Sequence, residues 1–443
     1  MIYSRYNFLL NSSKYGLFIY NSVYNSFFKI KRELFDQLSR IKNNPNDIKN
    51  LDKDTFNFLI NNKILVNHNE DDSYIIKKKY LSYLKSFSED SLGIIIVPTM
   101  NCNFACPYCY EDGLPKDIMT EEIQKKVIRF IESFNCAKND VQLCWHGGEP
   151  LLAFNAMVRI LDKLYSNPNI KITRHDMVTN GYLLTKDKIE ILRKYNLGYV
   201  QITIDGLEED HNKSRPLKSG LPTFRKIIEN VEYILNYHPE CFVNIRINVH
   251  ENNKERIHLL YTELTDKWKN FNCYIHMVYV SPYNHCKVEC VKLSERIPFF
   301  RDMYRKYGVN NIDFFPKKEE YGCSATNQNS YIIGPFGELY KCWVDVGKPE
   351  HVIGTVDDKI ANLSLVSEYL VGTDMFGDEK CQKCFLFPVC DGGCNLIRYE
   401  AKIKNQPFNN CPIETDDFST LLELFYEQKI NNQPNCVPTV FNK

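Results

Sequence analysis

LGIIIVPTMNCNFACPYCYED, residues 92–112, decides how the rest of this chain is read. Its first half is an aliphatic, β-branched run closed by Pro98, the pattern of a strand buried on both faces of a parallel sheet. Its second half is a loop that spaces three thiols as Cys-x3-Cys-x2-Cys, at Cys102, Cys106 and Cys109. Three thiolates are one short of the set that saturates a four-iron cubane, so such a cluster would keep one iron open to another ligand. The bland alternative for the same spacing is a zinc loop.

Working outward, the chain alternates strand and helix from residue 90 to about 280. LGIIIVPT, VQLCWHGG, IKITRHDMVTNG, GYVQITIDG, CFVNIRINV and NCYIHMVYV read as strands, with helical patterns such as EEIQKKVIRFIESF and KDKIEILRKY between them. That order predicts an α/β fold with a right-handed parallel sheet, a partial (β/α)6 TIM-like barrel. Chemistry in such barrels sits at the C-terminal strand ends. The first cysteine follows the first strand, Gly147, Gly148, Glu149 and Pro150 end the second, Asn180 the third, and Thr203 and Asp205 the fourth. Paired glycines let backbone approach a small ligand without Cβ interference. Asn-Gly and Asp-Gly are also common turn dipeptides.

The cysteine loop followed about forty residues later by GGEP resembles the radical S-adenosylmethionine (SAM) superfamily. The resemblance implies that Cys102, Cys106 and Cys109 hold a [4Fe-4S] cluster whose open iron chelates SAM, which is cleaved to a 5′-deoxyadenosyl radical. It also implies that Tyr108 lies against the adenine and that Gly147, Gly148 and Glu149 meet the methionine amino group. Asn180, Thr203 and Asp205 are then candidates for the ribose and carboxylate, with Arg215 as a carboxylate partner.

A second constellation follows: Cys323-x13-Gly337-x4-Cys342, then Cys381-x2-Cys384-x5-Cys390-x3-Cys394 and Cys411. It is similar to a SPASM domain, which implies two auxiliary [4Fe-4S] clusters. By that resemblance Cys381, Cys384, Cys390 and Cys411 form a complete site, while Cys323, Cys342 and Cys394 hold the nearer cluster with three ligands. SATNQNSY lacks the fourth cysteine that some members carry, so the iron is open or is completed by Cys286 or Cys290. Cys136, Cys144, Cys241, Cys273 and Cys436 show no ligand spacing and read as small buried hydrophobes.

All 17 cysteines lie between Cys102 and Cys436, a compositional break that sets off residues 1–88. There NFLLN, GLFIYNS and SFFKI read as strands, followed by helices at RELFDQLSRI and DTFNFLINNKI, a winged-helix-like order. With the core at 89–310 and the cysteine-rich SPASM segment at 311–443, three domains are expected for 443 residues. A net charge of +0 and the absence of a basic recognition helix in residues 1–88 argue against nucleic acid. No apolar run reaches a membrane span and no signal peptide is evident, which with the cysteine usage points to a reducing cytoplasm.

SPASM-bearing relatives mostly modify peptides, and the leading module resembles their precursor-recognition element. The expected function is therefore a maturase that oxidatively cross-links a ribosomally made peptide, through thioether or carbon-carbon bonds. It would draw electrons from a flavodoxin- or ferredoxin-type reductant. The runner-up is an anaerobic sulfatase maturase forming formylglycine. Its relatives carry an acidic proton acceptor directly after the cysteine that here is Cys342, whereas this chain has Trp343, with Asp345 two positions on. A non-catalytic peptide-binding or electron-transfer scaffold is the reading from another class, and the intact SAM motifs weigh against it.

Overall fold

The structure, a computed structural model, describes the chain except residues 112, 282–285, 319–322, 408–410, 412–416 and 433–443. Cys436 therefore lies outside the described residues. The leading strands form an antiparallel meander, β1 (Asn7–Ser12), β2 (Gly16–Asn21) and β3 (Ser26–Ile30), followed by α1 (Arg32–Asn43), α2 (Lys53–Asn61) and α3 (Glu70–Ser86). Period-two alternation gives β2 two apolar faces. Leu17 and Ile19 pack with Leu34, Leu38, Ile41 and Leu59 of α1 and α2. Phe18 and Tyr20 face the other way, onto Phe418, Leu422 and Tyr426 of the helix Phe418–Asn432. A three-stranded sheet that is apolar on both sides has to be covered twice, and the C-terminal helix is the second cover.

The strand-helix alternation read from the sequence is present throughout: β4 (Leu92–Ile96), α4 (Glu121–Glu132), β5 (Val141–Trp145), α5 (Phe154–Ser166), β6 (Ile172–Thr179), α6 (Lys186–Arg193), β7 (Tyr199–Thr203), α7 (Phe224–Tyr237), β8 (Phe242–Val249), α8 (Ile257–Trp268) and β9 (Cys273–Tyr279). These six strands pair in parallel in chain order, each crossover between neighbours carrying a helix. Each helix turns an i, i+3, i+4 stripe to the sheet; in α4 that stripe is Val127, Phe130 and Ile131. Thr120 caps α4 by accepting from the Ile123 N–H.

The edge beside β4 is extended by a segment more than two hundred residues away in sequence. There β10 (Ser330–Ile333) pairs in parallel with β4, and β11 (Glu338–Tyr340), β12 (Gly354–Thr355) and β13 (Lys359–Ile360) continue antiparallel. The sheet order is β9-β8-β7-β6-β5-β4-β10-β11-β12-β13. The chain divides into two compact units. One comprises the described residues of Met1–Ser86, Leu293–Cys323 and Glu368–Lys443, the other those of Phe87–Lys292 and Ser324–Ser367. The leading meander thus shares a unit with the Cys381–Cys411 region, and β10 to β13 belong to the unit of the parallel sheet.

Candidate functional site

The loop after β4 carries Cys102, Cys106 and Cys109 on the C-terminal edge of the sheet, and its shape is imposed by its neighbours. The Ala105 N–H bonds to the Pro216 carbonyl (2.9 Å) and the Lys218 N–H to the Asn103 carbonyl (2.8 Å). From β5, the Gly148 N–H reaches the Thr99 carbonyl (3.2 Å) and the Glu149 N–H the Asn101 carbonyl (2.9 Å). The paired glycines are needed for this contact. A Cβ on Gly147 would stand 2.4 Å from the Thr99 oxygen, and one on Gly148 2.4 Å from the oxygens of Met100 and Asn101. Gly147 also has φ +128°, a left-handed value that glycine tolerates.

Glu149 is fully buried and ties two strand ends together. Its carboxylate accepts from the Thr179 hydroxyl (2.8 Å), the Asn180 N–H (2.8 Å) and the Leu151 N–H (3.0 Å). Burial raises its pKa, and these donors work against that rise. The Asn180 amide bridges to the Asn103 side chain (2.8 Å) and lies 3.8 Å from Cys102 Sγ.

The three thiols are half-buried and form no disulfide. Burial pushes Cys102 up to about 12 and Cys109 up to about 11, and raises Cys106, whose charge bears on both of the others. Three thiolates on one loop, each disfavoured by burial, are costly unless a cation compensates them, which is the demand an iron-sulfur cluster meets, although among the described residues no three His, Cys, Asp or Glu side chains close on a single metal ion. The donor set fits such a cluster. Nearby, the Tyr108 hydroxyl bonds to Asp205 Oδ2, and Arg215 Nη1 donates to the same hydroxyl at 2.5 Å and sits 3.5 Å from Asp205. Arg215 is thus matched to a carboxylate of the chain itself. Thr203 is buried at the end of β7.

Sequence reasoning missed several members of this edge. Asn248 donates its backbone N–H to Asp205 Oδ1 (2.8 Å), and the Asn253 amide holds the Asp205 carbonyl (2.9 Å). His250 is buried, with its ring centroid 6.0 Å from that of Tyr108. The signal available was the polar run NVHENN closing the fifth strand. Glu111, two residues beyond the third cysteine, is buried and pushed up to about 7 by desolvation. His146, 4.0 Å from it, is pushed down to about 4 by burial and stacks on Trp343, with centroids 5.8 Å apart and an 18° interplanar angle.

In the other unit, Cys381, Cys384, Cys390, Cys394 and Cys411 are free and half-buried. The charge of Cys411 bears on Cys384 and that of Cys381 on Cys390. Cys323, which is exposed, and Cys394 belong to this unit, while Cys342, Cys286 and Cys290 belong to the unit of the parallel sheet. Cys286 Sγ sits 3.5 Å from the Val288 carbonyl. Asp345 is fully buried, with His351 at 3.5 Å and Lys348 at 3.9 Å. Of the cysteines without ligand spacing, Cys136 and Cys241 are buried and Cys144 and Cys273 half-buried.

Residues 96–262 match the family model of the radical SAM superfamily. The cysteine-type anaerobic sulfatase-maturating enzyme of Clostridium perfringens (strain 13 / Type A) is 23% identical over 343 residues, covering 69% of this chain and 90% of that protein. The structure of anSMEcpe with bound AdoMet and Kp18Cys peptide superposes with a TM-score of 0.57 at 20% identity, covering 78% of this chain and 98% of the other. Streptococcus suis SuiB bound to S-adenosylmethionine superposes with a TM-score of 0.53 at 17% identity, covering 93% and 100%. SuiB bound to its precursor peptide SuiA gives 0.50 at 16% identity over the same shares. The cysteine loop, the glycine pair locked against it and the matched family model give this enzyme a radical SAM domain over residues 96–262.

Proposed function

We propose that this enzyme is a peptide maturase that oxidatively cross-links a ribosomally synthesised precursor, by a thioether or a carbon-carbon bond. Cys102, Cys106 and Cys109 would hold the cluster that binds SAM, and with both in place the site would supply radical hydrogen abstraction from a side-chain or Cα carbon. The chain's own residues frame that event. Gly147 and Gly148 seat the cysteine loop, Glu149 and Asn180 lock it to the next strand end, and the Tyr108–Asp205–Arg215 group offers a polar wall for the nucleoside. Cys381, Cys384, Cys390 and Cys411 would hold one auxiliary cluster and Cys323, Cys342 and Cys394 a second with an open iron, suited to a substrate thiolate.

The observation that carries the peptide reading is the leading meander with its two helices, ahead of an intact radical SAM core. It supports a recognition module to which a leader peptide adds a strand. The superposition on SuiB runs over 93% of this chain, against 78% for anSMEcpe, which favours the precursor-peptide class. A sulfatase maturase is the second reading, supported by the relative at 23% identity. Trp343 in place of an acidic residue after Cys342, with Asp345 held by His351 and Lys348, weighs against it.

The enzyme would work in a reducing cytoplasm with a flavodoxin or ferredoxin as donor. Among the described residues no helix is long and apolar enough to cross a membrane. The test is anaerobic incubation of the reconstituted enzyme with SAM and each candidate peptide encoded by a short open reading frame neighbouring its gene. Loss of two hydrogens with blocked cysteine alkylation supports a thioether. The same loss with all thiols alkylable points to a carbon-carbon bond. An aldehyde that captures a hydrazide, on a sulfatase-type peptide, would replace this reading with the second one.

A further inference from the structure

Two cations, Arg398 buried and Lys78 half-buried, are packed against the loop that carries Cys381, Cys384 and Cys390. Arg398, on the helix Asn395–Ile403, is 7% exposed. Its Nη2 donates to Cys381 Sγ at 3.0 Å, its Nε to the Gly392 carbonyl at 2.7 Å, and its Nη1 to Asp378 Oδ2 at 2.9 Å. Asp378 in turn caps the short helix that bears Cys381, accepting from the N–H groups of Lys380 and Cys381. The second cation comes from the leading segment. Lys78 of α3 donates its amine to the carbonyls of Phe387 (2.5 Å), Pro388 (3.2 Å) and Cys390 (2.6 Å). Helix α3 is fixed there by the Tyr83 hydroxyl on Asp374 (2.5 Å) and by Tyr74 and Ile75 packed with Met375, Phe376 and Phe387.

A lysine that spends all its donors on three carbonyls of one cysteine loop is unusual for a surface helix, because the desolvation it suffers has to be matched by what it organises. An arginine hydrogen-bonded to a cysteine sulfur is a known means of tuning an iron-sulfur centre: reduction adds negative charge, and donors and cations near the sulfurs favour the reduced form. We infer that Arg398 and Lys78 are positioning residues for the cluster held by Cys381, Cys384, Cys390 and Cys411, and that together they raise its reduction potential. The inference rests on the reading that these four cysteines hold a cluster. It makes α3, part of the leading segment, a wall of that redox site.

The experiment uses the full chain with Cys102, Cys106, Cys109 and Cys342 changed to Ala, so that only this cluster remains, reconstituted anaerobically with iron and sulfide. Protein-bound iron and the EPR-monitored midpoint potential are measured for this parent and for Arg398→Gln and Lys78→Met. Retained iron with a lowered potential in both variants is the expected result. About a tenfold loss of preference for the reduced form, ~59 mV for one electron, is the size to look for in Arg398→Gln. Arg398→Lys, which keeps the charge, should recover part of it. A parent that binds no iron overturns the four-cysteine reading and the inference with it. A parent that binds iron, with potentials unmoved in the variants, overturns the inference alone. If Arg398→Gln loses its iron, Lys78→Met decides in the same way, since it touches no sulfur.

Discussion

Gly148→Ala tests whether the glycine pair admits a ligand or admits the cysteine loop. The new Cβ would stand 2.4 Å from the carbonyl oxygens of both Met100 and Asn101, where ordinary contact begins at 3.4 Å. Backbone would therefore have to retreat by about 1 Å, the difference between those two distances, directly before Cys102. Overpacking of this kind costs about 1–3 kcal/mol, and a 1 Å displacement of reacting groups about 10²-fold in rate. The expected outcome is a folded protein with a lowered Tm, reduced iron at the first site and about a hundredfold slower 5′-deoxyadenosine release under dithionite, read by chromatography. Gly377→Ala is the control, since nothing lies within 4 Å of its Cβ position. If Gly148→Ala keeps its iron and loses only SAM affinity, the glycines serve the ligand. If release stays within about twofold of the parent, the steric argument itself fails.

Tyr108→Phe removes the hydroxyl shared by Asp205 and Arg215, and should weaken SAM binding about tenfold while leaving iron content unchanged, measured by equilibrium dialysis. Iron per chain should be about twelve in the parent and about eight in Cys411→Ala, by analysis of the reconstituted proteins. His175 accepts from the Trp145 indole N–H at 2.9 Å and faces the Tyr195 carbonyl at 2.7 Å, so it is held neutral, and burial lowers it from 6.5 to about 4. A histidine whose folded pKa is depressed contributes stability above pH 6.5 that is lost as the pH falls toward 4. At 1.36 kcal/mol per unit the loss amounts to about 3 kcal/mol. Urea melts at pH 7.5 and 4.5 should show that difference narrowing in His175→Gln; an unchanged difference would remove His175 as its source.

The sequence made the six core strands legible because they are short, largely apolar runs followed closely by Gly, Pro or Asn, and because several of their C-terminal ends carry polar motifs in register with one another. What it hid has a common physical cause, pairing between distant segments. β10 reads as four ordinary residues, SYII, yet it takes the open edge of β4. Helix α3 shows weak periodicity since Ile76, Tyr80 and Leu84 are exposed, so its Lys78 gave no sign of reaching three carbonyls more than three hundred residues away. Glu111 and His146 stood beside recognised motifs and were passed over because spacing reveals ligands better than it reveals a lone acid or base.

The same pairing bears on the missing acid after Cys342. A proton acceptor must reach substrate, and Asp345, the nearest carboxylate in sequence, is fully buried on a tight turn with His351 and Lys348 beside it. Trp343 is 40% exposed and lies flat on His146, which in turn neighbours Glu111. The position after Cys342, which the resemblance to sulfatase maturases leads one to expect to be acidic, presents an aromatic face here and offers no carboxylate to take a proton. Trp343→Asp separates the readings. On a cross-linking enzyme it should weaken peptide binding and create no aldehyde. An aldehyde appearing on a sulfatase-type peptide would mean that one residue divides this enzyme from the maturases it resembles.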